Sequence, residues 1–330
     1  MKRSVLIAAL AALGFATSAN AVNHDLETRV TATDGWVAYR VPMVAGVDGP
    51  CCYVVNGDTA ARKGCNLDRR SWSFERDHDD PVAALDGTLA VYIRVEHGRV
   101  ERIRAVGASC PVQTASTVRW IDPVDPANSI AMLSTLLDRK AAGDPDDRGL
   151  VALAYHADAS ATRALAARAE LSHPTKEREQ ALFWLGQTRG AEGADIIEHY
   201  ATTDADPELR AKAIFALSQS AVPDAYAHIL TIAHDDPAEH VRSQALFWLA
   251  QRNDARAKDD IIASLNTESS DKVREQAVFA LSQLRDGAAD EALIAVLRGD
   301  YPRTVRKQAL FWLGQSGSPR AMAYFDEALK

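Results

Sequence analysis

The sequence predicts an α+β chain, with a small β-rich domain over about 22–125 followed by an all-α solenoid of stacked helix pairs over 126–330. Three observations carry that reading. Residue-by-residue alternation of apolar and polar side chains is confined to the first part and helical spacing to the second. All four cysteines, Cys51, Cys52, Cys65 and Cys110, lie in the first part. The second part repeats itself: "REQALFWLGQ" from Arg178 returns as "RAKAIFALSQ" from Arg210, "RSQALFWLAQ" from Arg242, "REQAVFALSQ" from Arg274 and "RKQALFWLGQ" from Arg306. The step is a constant 32 residues. A period of that size marks supersecondary units that stack because none can bury its apolar stripe alone.

In chain order, residues 1–21 read as a signal peptide. Lys2 and Arg3 precede the apolar run "VLIAALAALGFA", and "ANA" at 19–21 offers small residues at a cleavage site. The run is shorter than the roughly 20 apolar residues of a spanning helix. No cysteine follows the cut, which argues against a lipoprotein. The expectation is an exported protein, periplasmic and without membrane insertion. With 47% apolar and 25% charged residues the chain has a folded, soluble composition, and a net charge of −8 opposes the basic footprint that nucleic acid or anionic lipid requires.

The β-rich domain is read from short alternating runs. "LAVYIRVEHGRVERIRAVG" from Leu89 to Gly107 is a hairpin, with Gly98 supplying the positive φ of a tight turn. "GWVAYRVPMV" from Gly35, "CCYVV" from Cys51 and "VRWID" from Val118 read as further strands, the last stopped by Asp122-Pro123. Four cysteines in an oxidising compartment imply two disulfides. Adjacent Cys51 and Cys52, with Cα atoms about 3.8 Å apart, are too close to bridge each other. Each is expected to pair outward, with Cys65 and Cys110 in an order left open. Structural staples are one reading of these sulfurs; a labile redox pair or a metal site is another.

Candidate chemistry elsewhere is sparse. "RDHDD" (Arg76–Asp80) reads as a solvated acidic loop, and His228, His234 and His240 do not converge at i, i+4 spacing. No nucleophile elbow, phosphate loop, dinucleotide fingerprint or zinc-protease motif occurs. The expectation is therefore no catalytic residue, no metal, no cofactor and no enzyme.

Asp125 and Pro126 make an N-cap and first helical residue, and Ile130, Leu133 and Leu137 follow at helical spacing. Residues 126–157 read as an atypical capping unit. In each later unit a first helix carries Ile197, Ile229, Ile261, Leu293 or Phe325. The second carries Ala at 181, 213, 245, 277 and 309 and Leu four residues on, which puts both on one stripe. After the recurring Phe, Trp184, Ala216, Trp248, Ala280 and Trp312 alternate large and small, so the true period is two units. Trp facing Trp at every step would overfill the seam, whereas Trp facing Ala interlocks.

The pattern in "VRSQALFWLAQ" from Val241 and "VRKQALFWLGQ" from Val305 resembles the HEAT-like repeat, in the short bacterial form named after phycobilisome lyases, over about 145–330. The resemblance implies an α-solenoid whose second helices line the concave side and whose repeats bind proteins. It also implies that the recurring Arg pairs with an acid near the repeat link. Asp204, Asp206, Asp235, Asp236 and Asp271 are candidates, with the pairing open. Lyase activity is not carried over, because a fold alone does not give function.

A binding face follows from the helical angle. With Val241, Ala245 and Leu249 on the buried stripe, Gln244, Phe247 and Gln251 share another side. The set recurs as Gln180, Phe183, Gln187; Lys212, Phe215, Gln219; Gln276, Phe279, Gln283; and Gln308, Phe311, Gln315. The Phe rings either close the seam between second helices or serve as apolar footholds. The Gln amides offer paired donors and acceptors to an extended partner. The expected function is a protein-binding scaffold or regulatory adaptor using this face. The alternative is a redox-responsive module switched by the cysteines.

Overall fold

The computed structural model describes residues 25–51, 53–56, 59–62, 65–68, 87–139, 148–285 and 287–328. The chain divides into two compact units, Met1–Pro174 and Thr175–Lys330.

The first unit opens on α1 (25–31), a short helix that the sequence reading did not anticipate. It buries Leu26 and Val30, one helical turn apart. The strands follow as β1 (Gly35–Pro42), β2 (Tyr53–Asn56), β3 (Thr59–Arg62), β4 (Cys65–Asn66), β5 (Thr88–Glu96), β6 (Arg99–Gly107), β7 (Val112–Gln113) and β8 (Val118–Trp120). A four-stranded sheet runs β6-β5-β1-β8, antiparallel except that β8 joins β1 in parallel. β2 pairs with β3, and β4 with β7. The β5–β6 hairpin turns on His97 (φ 53°) and Gly98 (φ 71°). Two left-handed residues give the turn whose twist matches that of paired strands, and Gly98 N–H donates to Asp34 Oδ1 at 3.1 Å.

Both faces of the sheet are buried. One carries Val37, Tyr39, Val91, Ile93 and Ile103. The other carries Trp36, Ala38, Ala90 and Tyr92, packed with Leu67, Cys51, Cys65 and Cys110. Three helices complete the unit: α2 (Pro126–Arg139), α3 (Arg148–Tyr155) and α4 (Ser160–Arg168). Asp125 Oδ1 accepts from Asn128 N at 3.0 Å and caps α2, and α3 packs on β6. A buried polar chain ties strand to helices. His156 Nδ1 lies 2.6 Å from the Ala152 carbonyl, which can only accept, so Nδ1 carries the proton. Nε2 lies 2.9 Å from Ser129 Oγ, which lies 2.7 Å from the Tyr39 hydroxyl. Burial pushes the Tyr39 hydroxyl well above its ordinary range, which keeps it a donor.

The second unit is helical throughout its described residues: α5 (Thr175–Thr188), α6 (Gly190–Thr203), α7 (Pro207–Gln219), α8 (Ala225–Asp235), α9 (Glu239–Gln251), α10 (Ala257–Thr267), α11 (Asp271–Ser282), α12 (Ala288–Arg298), α13 (Arg303–Ser316) and α14 (Pro319–Ala328). They form two layers. α5, α7, α9, α11 and α13 pack side by side, and α6, α8, α10, α12 and α14 make the other, more loosely packed layer. The 32-residue stripe is the core between them. Ala181, Ala213, Ala245, Ala277 and Ala309 are buried, as are Leu185, Leu217, Leu249, Leu281, Leu313, Ile197, Ile229, Ile261 and Leu293. Links are fixed by caps where an acceptor is present. Asp206 accepts from Glu208 N at 3.0 Å, with Pro207 as the first helical residue.

One glycine reports how close neighbouring second helices come. A Cβ on Gly186 would sit 2.7 Å from the Ala216 carbonyl oxygen, whereas a Cβ on Gly314, the same position in α13, would meet nothing. Gly186→Ala therefore destabilises the unit by about 1–3 kcal/mol, as overpacking does. Gly314→Ala stabilises it by about 0.5–1 kcal/mol through helix propensity. Thermal melts of the two variants move in opposite directions; a shared direction refutes the close approach at Gly186.

Candidate binding face on the second helices

Three ladders run along the array of residues 175–328, and each arises from the repeat. The first is ionic and internal. Arg210, on α7, donates from Nε and Nη2 to Asp236 at 2.8 and 2.9 Å, and Arg242, on α9, does the same to Glu268 at 2.8 and 3.0 Å. Arg178, on α5, pairs with Asp204. Every acid stands 26 residues beyond its Arg, at the C-terminal end of the next first helix. Arg210 Nη1 and Arg242 Nη1 each reach a link carbonyl, that of Asp204 or Asp236, at 2.8 Å. The carboxylates accept a further N–H each: Asp206 N to Asp204, Ala238 N to Asp236, and Ser270 N to Glu268.

These fully occupied carboxylates explain the electrostatics. The hydrogen bonds to Asp236 and Glu268 raise the guanidinium groups of Arg210 and Arg242 above their ordinary range. Burial pushes the Glu268 carboxyl up, but the bonds from Arg242 and the Ser270 amide outweigh it and hold it low. Asp204 and Asp236 are thus partners, as the resemblance implied. Asp206 is a cap, and Asp271 pairs with Arg274 inside its own helix at 2.7 Å. Glu268, not among the residues the sequence singled out, occupies the same position in the repeat, 26 residues beyond Arg242. Arg178 and Arg210 are buried and Arg242 is half-buried, and each guanidinium is engaged in these internal pairs.

The second ladder is aromatic. Phe183 stacks on Phe215 with ring centroids 5.9 Å apart and planes 12° from parallel, and Phe247 stacks on Phe279 at 6.0 Å and 4°. Trp248 joins the two pairs, lying 4.9 Å from Phe215 and 5.0 Å edge-on to Phe247. Trp312 joins Phe279 to Phe311 in the same way, at 5.0 Å from each, and Trp184 caps Phe183 at 5.1 Å. The result is an unbroken ribbon of rings from α5 to α13. The alternation of Trp with Ala has its cause here. Where the residue after Phe is Ala216 or Ala280, it is buried and adjacent Phe rings stack directly; where it is Trp248 or Trp312, the indole wedges between two Phe rings. Trp248 and Trp312 thus interlock with the Phe rings of their own and the preceding second helix. Phe183, Phe215, Phe247 and Phe279 are half-buried, so they close the seam and still present edges, and Phe311 is exposed.

The third ladder is amide. Gln219, Gln244, Gln276 and Gln315 are exposed, and Gln180, Gln187, Gln251, Gln283 and Gln308 are half-buried. Gln219 and Gln283 donate to the neighbouring Ser218 and Ser282 hydroxyls at 3.2 and 3.0 Å. Gln180 Oε1 is buried without a hydrogen-bond partner among the described residues. Each amide lies one turn from its Phe, so the ribbon of rings is bordered by amides on both sides.

Away from this face, Cys51 and Cys110 form a disulfide with Cα atoms 5.5 Å apart. Cys65 is also disulfide-bonded, with its sulfur 3.8 Å from that of Cys110. The three sulfurs lie within 4.8 Å of one another, but each is tied in a disulfide, so no thiolate remains to ligate a metal. Cys52 and "RDHDD" lie outside the described residues. His228 meets Glu198, His234 meets Ser264 at 3.2 Å and His240 meets Glu208 at 3.3 Å, in separate places.

The family model for HEAT repeats matches residues 162–247 and 227–313. Among solved structures, human deoxyhypusine hydroxylase in complex with glycerol is 18% identical, with a TM-score of 0.27 over 57% of this chain and 84% of its own. The complex of CpcE and CpcF of phycocyanin lyase from Nostoc sp. PCC7120 is 19% identical, with a TM-score of 0.31 over 60% of this chain and 79% of its own. No curated protein matches. These names correct one expectation: a hydroxylase and a lyase are both enzymes, so the lack of a motif is no ground for reading this chain as a non-enzyme. Among the described residues no helix is long and apolar enough to cross a membrane.

Proposed function

We propose that this chain, whose residues 162–313 carry HEAT repeats, is an exported scaffold or regulatory adaptor that binds a protein partner along its second helices. The single observation behind the reading is the bordered ribbon: contiguous half-buried rings flanked by amides that packing does not require. Fully buried seams are apolar throughout; a seam that keeps its rings partly wet and borders them with Gln retains hydrogen-bonding capacity along its edge. The Cys51–Cys110 bridge supports export, because disulfides persist in oxidising compartments.

The test replaces Gln187, Gln219, Gln251 and Gln283 with Ala together, in the full chain. Surface substitutions of this kind shift stability by only about 0.5 kcal/mol each, so the melting curve stays close to that of the parent. A partner cross-linked by the parent from periplasmic extract is lost by the variant. Equal capture by both refutes the face.

A further inference from the structure

We propose that the outer side of α13 is a docking site for one amphipathic helix of a partner protein, acidic at its N-terminal end, which adds a further second helix to the array. This site is separate from the Gln-bordered face, and the inference goes beyond the reading above rather than resting on it.

The repeat itself shows which side of α13 is built to be covered. Leu182, Ile214, Leu246 and Val278 hold one position in α5, α7, α9 and α11, and each is at most 1% exposed. Each of those helices is followed by a second helix that packs on it. Leu310 holds the same position in α13, which no further second helix follows among the described residues, and it is 48% exposed. Phe311 beside it is 52% exposed. Large apolar side chains that are exposed here and buried at their equivalents mark an interaction surface.

The kind of helix that fits follows from the seams, of which two types alternate. In α5–α7 and α9–α11 the leading helix carries Trp184 or Trp248, with a small residue, Gly186 or Ala250, two positions on. The Phe rings of the two helices stack directly there. In α7–α9 and α11–α13 the leading helix carries Ala216 or Ala280 with Ser218 or Ser282, and the Trp of the following helix is wedged between the rings. Residues 309–315 of α13 repeat residues 181–187 of α5 letter for letter, Trp312 and Gly314 included. α13 therefore offers the first type of seam, and the helix that completes it resembles α7. It brings a Phe to stack on Phe311, an Ala after that Phe, and a backbone close over Gly314, as the Ala216 carbonyl lies over Gly186.

Charge sets the rest. Unlike α5, α7, α9 and α11, α13 contains no acid. Its Arg303, Arg306 and Lys307 are exposed and make no ion pair among the described residues. Arg306 holds the position at which Arg178 receives Asp204, an acid just ahead of α7. On a chain of net charge −8, this basic side attracts a segment that begins with carboxylates. A second copy does not fit. Its α7 and α11 are each enclosed between two other second helices, and its α5 would bring Trp184 into a seam where rings stack directly.

A fluorescein-labelled peptide with the sequence of residues 204–219, DADPELRAKAIFALSQ, tests this by anisotropy against the full chain, beside a scrambled peptide of the same composition. The expected result is saturable binding about tenfold tighter than that of the scrambled peptide, weakening as salt is raised. Gly314→Ala lowers the affinity about tenfold, because its Cβ meets the docked backbone, although the same change raises the melting temperature. Leu310→Gln and Arg306→Glu, both at exposed positions, weaken binding and leave the melt close to that of the parent. Peptide carrying Ala216→Trp binds more weakly than the unaltered one. Binding no tighter than that of the scrambled peptide, or binding indifferent to Gly314→Ala, overturns the assignment. So does sedimentation of the chain alone as a dimer that Leu310→Gln dissociates, which assigns this side to a second copy. The four-Gln variant keeps full peptide binding; losing it there overturns the separate site, whereas loss of the cross-linked partner alone bears only on the Gln-bordered face.

Discussion

Asp236→Ala destabilises the helical unit by about 3–5 kcal/mol, the cost of removing one partner from a buried ion pair. Arg210 and Asp236 are both buried, and the guanidinium makes two of its hydrogen bonds to that carboxylate. Without it, Arg210 loses both of its hydrogen bonds to a carboxylate and retains the one to the Asp204 carbonyl. The same substitution also frees the Ala238 amide that Asp236 accepts. Asp236→Asn retains the shape and the link contact, so its smaller loss separates charge from capping. Arg274 supplies the internal control. It occupies the same position in the repeat but pairs with exposed Asp271 in its own helix, and Arg274→Ala costs at most about 1 kcal/mol. Urea denaturation followed by circular dichroism ranks the three. Equal losses at Arg274 and Asp236 would show that the buried ladder contributes nothing beyond a surface pair.

Removing the Cys51–Cys110 bridge by double substitution to Ala destabilises the β-rich unit by about 2–4 kcal/mol. The sequence separation of 59 residues makes a long loop, and closing long loops restricts the unfolded chain most. Both residues are buried in the cluster under Trp36 and Tyr92, so a reductant reaches the bridge only when that cluster opens. Thiol labelling under mild dithiothreitol therefore follows the unfolding curve of the unit. Labelling of two thiols per chain while the near-ultraviolet signal stays native would instead support the redox-responsive alternative.

Much of the candidate face was legible from spacing alone. Because an α-helix repeats every 3.6 residues and the array every 32, Ala and Leu at matched positions had to share one stripe, and Phe and Gln another. The β5–β6 hairpin was legible for a similar reason: strict alternation on both sides of His97-Gly98 admits one register family. Less legible were α1, whose seven residues hold only two apolar anchors, and the pairing of Arg242, because an acid at the right distance can be Asp or Glu. The disulfide order was not legible at all. The spacing lets either of two adjacent cysteines reach Cys110, and only the tertiary structure, which buries Cys51 and Cys110 in one cluster, decides between them.

By itself the sequence determined that helix pairs stack at a fixed interval, which side of each second helix is buried, and that rings and amides recur on another side; these follow from local periodicity. Only the tertiary structure decided that the rings touch one another across repeats, with Trp248 and Trp312 wedged between neighbouring Phe rings, and that Asp204, Asp236 and Glu268 receive the ladder of arginines. Such contacts join residues 26 to 33 positions apart, and their existence depends on how far one helix slides along the next. That offset is set by core volume, down to the missing Cβ of Gly186, and no repeat count contains it.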